Sequence, residues 1–174
     1  MTQVIWEKNM YSRQNCCRRN FPAPINCCCF SNSLNVVTTP TIANETSQFG
    51  FFASAGDVVA TGDEITLALV RSSGTAVAPS TTTPGAVNLL AGRYLVNYVA
   101  GAQAPTGGTV STALTLNDIQ VANSTATETQ TAGDDANLGQ TVILDIPQTS
   151  TLALVNTSAE EVTFTSANLT ITRL

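Results

Sequence analysis

Five cysteines in two tight groups, Cys16-Cys17 and Cys27-Cys28-Cys29, are the residues of this chain best suited to covalent chemistry. Neighbouring residues of an extended chain point to opposite sides, so each group offers thiols in more than one direction. Zinc sites generally use C-x₂₋₄-C pairs, and thioredoxin-type redox centres use C-x-x-C; neither group has that spacing. An odd total cannot close on itself within one chain. Intermolecular disulfides, free or variably oxidised thiols, metal or cluster ligation and acylation remain open, the last without an accompanying membrane signal. Ahead of the cysteines stands Val4-Ile5-Trp6, with the chain's single Trp. These three residues read either as a cap on the chain's own core or as a docking strand that adds to a neighbouring β-domain. Fully buried, they would supply about 5–8 kcal/mol before entropy is subtracted.

Little else in the chain suggests catalysis. There is no His, which removes the commonest general base and the commonest metal ligand. No G-x-S-x-G, P-loop or G-x-G-x-x-G occurs, and no paired carboxylates fall at strand ends. Asp134-Asp135 has two readings, hard-cation ligands with loop carbonyls or a solvated turn, and Glu160-Glu161 reads as an outward pair in a turn. The sequons at Asn44, Asn123, Asn156 and Asn168 are what chance supplies in a chain this rich in Asn and Thr. The composition predicts no catalytic residue, no metal site, no cofactor and no enzyme.

The elements that must carry these residues differ sharply along the chain. Overall, 7 Lys+Arg face 12 Asp+Glu, a net charge of -5, which argues against non-specific nucleic-acid binding. Residues 1–19 nevertheless hold Lys8, Arg13, Arg18 and Arg19 against Glu7 alone, a net of +3. The rest has no Lys and only Arg71, Arg93 and Arg173 against eleven acids, a net of -8. Residues 1–30 therefore read as a basic, Cys-rich connector arm. Residues 31–49 read as a linker and first strand, and 50–174 as one β domain. The first residues contain no apolar run of the length a secretory leader needs, and no stretch is long and apolar enough for a spanning helix, so neither a signal peptide nor a membrane partner is expected.

The body, rich in the 27 threonines of the chain, reads as strands throughout. In 109–116, Val110, Thr112, Leu114 and Leu116 share one face and alternate with Thr109, Ser111, Ala113 and Thr115, the pattern of a half-buried strand. Asn117-Asp118 then predicts a two-residue hairpin turn before Ile119 and Val121 resume the alternation. Further strands are expected at 49–55, 64–70, 87–90, 93–100, 140–146 and 151–155. In 162–174 the buried parity changes between Phe164 and Leu169, which predicts a β-bulge near 166–168. Tyr94 and Tyr98 share one face and are expected in the core. About 8–10 antiparallel strands with no helical period predict an all-β jelly-roll sandwich carrying an extended N-terminal arm.

Four segments in order carry a family resemblance. Ala91-Gly92-Arg93-Tyr94 followed by Tyr98, the Ala-Leu-Thr-Leu-Asn hairpin strand at 113–117, Leu152-Ala153-Leu154-Val155-Asn156 and Leu169-Thr170-Ile171-Thr172-Arg173 resemble the C-terminal heads of collagen-like bacterial endospore-surface (exosporium) glycoproteins. That family has a TNF/C1q-like jelly roll, so the resemblance implies a homotrimer without catalytic residues. No Gly-X-Y stalk precedes the head here. With its Cys-rich arm the chain is more similar to subunits of endospore appendages, in which an N-terminal connector docks into and cross-links to a neighbouring β-domain. The resemblance thus implies a structural fibre or exosporium subunit that self-assembles as trimers joined head-to-tail. Its partners would be itself and other spore-surface anchor or tip proteins. Such subunits would be made reduced and would oxidise when the mother cell lyses. The alternative is a trimeric surface recognition or adhesion head anchored by the same Cys arm.

Overall fold

Period-two alternation becomes a sandwich wall most plainly in β6 (Gly92–Gln103). Tyr94, Val96, Tyr98, Ala100 and Ala102 are buried there, while Arg93, Leu95, Asn97 and Val99 face outward. The computed structural model describes residues 47–174, and among these there are twelve strands and no helix. Preceding β6 are β1 (Phe49–Ser54), β2 (Asp57–Val59), β3 (Ala68–Ser73), β4 (Val77–Pro79) and β5 (Val87–Leu89). Following it are β7 (Gly108–Leu116), β8 (Ile119–Gln120), β9 (Ala126–Gln130), β10 (Ala136–Ile146), β11 (Ser150–Asn156) and β12 (Val162–Arg173).

All pairings are antiparallel and build two sheets. The first has the order β10-β6-β12-β1-β3, with β2 also paired to β12. The second has the order β4-β5-β11-β7-β8, with β9 also paired to β7. This is the expected jelly-roll sandwich. Its core contains Phe52, Tyr94, Tyr98, Leu114, Leu152, Leu154, Phe164, Leu169 and Ile171, drawn from the facing sides of both sheets. Each such side chain contributes roughly 1.5–3 kcal/mol on burial. The two tyrosines are buried as expected, and each phenol finds an acceptor: Tyr94 donates to the Leu90 carbonyl at 2.8 Å and Tyr98 to that of Ser124 at 2.6 Å.

The expected turn and bulge are both present. Asn117 and Asp118 have φ of 50° and 65°, the left-handed pair of a type I′ hairpin. The register of β12 on β6 slips between Phe164 and Ser166, making Thr165 the extra residue, slightly before the expected position. Opposite it sits Gly101, where an added Cβ would lie 2.8 Å from the Thr165 hydroxyl oxygen. The glycine leaves room for the bulge.

Two expectations need correction. The strand expected at 64–70 is Ala68–Ser73 instead. Upstream of it, Ile65 and Leu67 are buried, but that segment runs beside the end of β11, with only an isolated bridge from Glu64 to Val155. In β7 the second face is not solvent-facing throughout. Ser111 and Ala113 are buried too, and Ala113 joins Ala86, Ala153 and Val155 in a separate small cluster on the far side of the second sheet.

Candidate functional site

The disulfide candidates Cys16, Cys17, Cys27, Cys28 and Cys29 and the docking-arm candidates Val4, Ile5 and Trp6 lie outside the described residues. What the described body offers is surface, and two apolar regions of it stand out.

One is the outer face of the first sheet. The ladder registers place Ile143, Leu95 and Thr172 in one row across β10, β6 and β12. The next row is Thr141, Asn97, Thr170, Phe51 and Arg71, reaching β1 and β3. The row after that is Gly139, Val99 and Asn168. Ile143 is 61% exposed, Val99 49% and Leu95 38%. Positions that an ordinary solvent-facing strand fills with Lys or Glu here carry Leu, Val, Ile, Asn and Thr. A charged pair bounds the face at one end, where Arg93 Nε donates to Asp145 Oδ1 at 2.6 Å and Nη2 to Oδ2 at 3.2 Å. Hydrogen bonding to Arg93 holds the Asp145 carboxyl below the usual carboxylate range, and the same contact raises the guanidinium. Both groups are exposed, so the pair contributes little to folding.

The other region lies at the seam between the sheets. Here β10, the last strand of the first sheet, faces the β7–β8 hairpin of the second. Leu116, Asn117, Ile119, Gln120, Val121 and Leu144 line an open cavity of about 360 Å³. No lining residue is charged, and Ile119 is 74% exposed. Asp118 stands at the tip of the same hairpin, in the turn. Its charge and partial burial together raise the pKa of Glu64, burial being the larger cause.

One end of the sandwich is purely acidic among the described residues, and the other is mixed, with Asp145 paired to Arg93. Around the start of β12 lie Asp57, opposite Phe164, Asp135, which accepts from Gln103 at 2.6 Å, and Glu160, which accepts from Thr106 at 2.8 Å. Asp134 and Glu161 are their exposed neighbours. The loops at that end contain no cation. At the opposite end the described chain begins, Phe49 pairs with Thr172, and Leu174 N–H donates to the Arg93 carbonyl at 2.8 Å. Arg93 and Arg173 are both there. Among the described residues, no group of three His, Cys, Asp or Glu side chains converges as a metal site.

The outward Leu95, Val99 and Ile143 and the seam residue Ile119 were not singled out from the sequence. A signal was present in Leu95-Val96-Asn97-Tyr98-Val99, where apolar residues occupy both parities of a strand. A strand covered on both sides is the physical reading of such a run.

No protein-family model matches the chain, and no curated protein matches it. Solved structures do. Murine APRIL is similar with a TM-score of 0.58 and 9% identity, over 74% of this chain and 99% of that one. The globular domain of zebrafish complement 1qA protein has a TM-score of 0.55 and 7% identity, over 71% and 94%. Eiger TNF from S. frugiperda has a TM-score of 0.54 and 15% identity, over 74% and 93%. At such identities the likeness concerns the fold, and the fold is a TNF/C1q-like jelly roll.

Proposed function

We propose that this chain is a non-enzymatic structural subunit of a bacterial spore-surface fibre or exosporium layer. Its β domain closes into a homotrimer, and its N-terminal arm joins trimers head-to-tail and cross-links them through intermolecular disulfides. The observation that carries the proposal is the coexistence of an exposed apolar face and an exposed apolar seam on one sandwich. Two different patches of one chain can satisfy each other in a heterologous contact, which closes into a ring when the rotation permits. Charge favours the same pairing: Asp118 borders the seam, while Arg71 lies on the face and has no ion-pair partner among the described residues. Three subunits per ring is what the TNF/C1q-like fold leads one to expect.

The polarity of the body supports the second step. Ser47, where the described residues begin, lies at the end of the sandwich that holds Arg93 and Arg173, and the basic arm precedes it in sequence; the far end holds only carboxylates. A cationic arm is therefore attracted to the far end of another copy, which gives stacking a direction. The spore-surface assignment rests on the sequence pattern at 91–98, 113–117, 152–156 and 169–173. The second reading, a recognition head anchored by its arm, draws on that same acidic end as a contact surface.

Electron microscopy and native mass spectrometry of purified protein, with and without reductant, test the proposal. Filaments or stacked trimers that shorten under strong reductant are expected. Isolated trimers under every condition would remove the polymer, and monomers at all concentrations would remove the trimer as well. Binding to a host or spore partner that survives deletion of residues 1–30 would favour the recognition head.

A further inference from the structure

The outer face of the first sheet has one hydrogen-bonded side-chain pair at its middle. The Asn97 side-chain amide donates to Thr141 Oγ1 at 2.7 Å across the β6–β10 register. Its neighbours on the same face are Leu95 and Val99 along β6 and Ile143 along β10, all exposed. On the β12 side, Thr170 lies directly opposite Asn97. In a lone subunit, water satisfies what remains of the amide: a carbonyl oxygen with two lone pairs and a second N–H. When another copy covers the face, that water leaves and the amide needs a protein partner. Apolar side chains of similar size tolerate several offsets between two surfaces, whereas a buried amide tolerates only those offsets that bring it a polar group.

We propose that Asn97, held by Thr141, sets the register and copy number of the assembly, at some expense in affinity; this rests on the trimer reading. The pair is then a specificity device at the centre of the face, where its hydrogen bond fixes the amide between Leu95, Val99 and Ile143, the role best attested for polar residues set among apolar contacts. Both side chains are exposed in the subunit, so the fold does not depend on them.

Native mass spectrometry and sedimentation of the full chain under reductant test this with wild type, Asn97→Leu with Thr141→Val, and Thr141→Ala alone. Wild type is expected only as trimers and multiples of three. The double variant is expected to associate at least about tenfold more tightly and to populate dimers and tetramers beside the trimer. Thr141→Ala, which leaves the amide less well held, is expected to weaken association about tenfold while keeping the trimer. A double variant that stays wholly trimeric overturns the inference and leaves the trimer standing. A wild type that is monomeric throughout overturns the trimer reading beneath it.

Discussion

The hydroxyl of Tyr98, in the middle of the first sheet, donates to the carbonyl of Ser124 across the core at 2.6 Å. It also accepts from the Thr112 hydroxyl at 3.4 Å, and Ser124 Oγ in turn accepts from the Leu114 N–H at 3.0 Å. The network ties both sheets to the loop between β8 and β9. Burial raises the phenol's pKa, so it stays a neutral donor across the useful pH range. Tyr98→Phe keeps the ring and strands these acceptors, and is expected to cost about 1–3 kcal/mol. Urea unfolding followed by circular dichroism measures it; a loss too small to resolve would mean the network is redundant.

Gly50 is buried between the sheets, where an added Cβ would meet Val77 Cγ1 at 2.5 Å and Phe52 Cε2 at 2.7 Å. Gly50→Ala is therefore expected to destabilise by roughly 1–3 kcal/mol through overpacking. Adding Val77→Ala should restore part of that loss. If the double variant is as unstable as the sum of the singles, the contact is not the cause.

Glu64 has a raised pKa, from partial burial first and Asp118 second. The folded state thus holds its proton more tightly than the unfolded chain does. Its contribution is favourable below the unfolded carboxylate pKa and is lost as pH rises through the higher folded value. Glu64→Gln is expected to raise the melting temperature at pH 7 and to flatten the stability profile just above the ordinary carboxylate range. An unchanged profile would show that the group is solvated in both states.

Leu95→Asp together with Ile143→Asp places two carboxylates on the apolar face without touching the core. The protein is expected to sediment as a monomer, while its subunit stability stays within about 0.5 kcal/mol. Persisting trimers would mean that another surface makes the contact.

Replacing all five cysteines by Ser should leave trimers intact but make longer assemblies dissociate in denaturant. Deleting Met1–Trp6 should leave soluble trimers that do not join. Filaments of normal length and resistance in both variants would remove the arm from assembly.

Legibility followed burial. Where one face is buried and the other wet, as in β10 and β12, alternation located the strands. The turn at Asn117-Asp118 was legible because only a few residues accept left-handed backbone cheaply. β9, Ala-Thr-Glu-Thr-Gln, has no apolar alternation and forms because β7 offers it an edge. β2 and β4 are three residues each, too short for a period to register. Ile65 and Leu67 imitated a strand because their segment lies beside β11 with the same alternate burial. The arm's cysteines lie outside the described residues, whereas the face around Leu95 and Ile143 became visible only once the register joined five strands into one surface.

The place of β12 between β6 and β1 sets an order of events during synthesis. The first sheet cannot close until residues 162–173 have been made, because β1 has no lasting neighbour on that side before then. At about 5–20 residues per second, the arm precedes that moment by roughly 7–30 s. Every newborn chain therefore presents its five thiols before it has a domain with which to assemble. For the disulfide-linked assembly proposed above, premature cross-linking is avoided where translation and oxidation are separated in time.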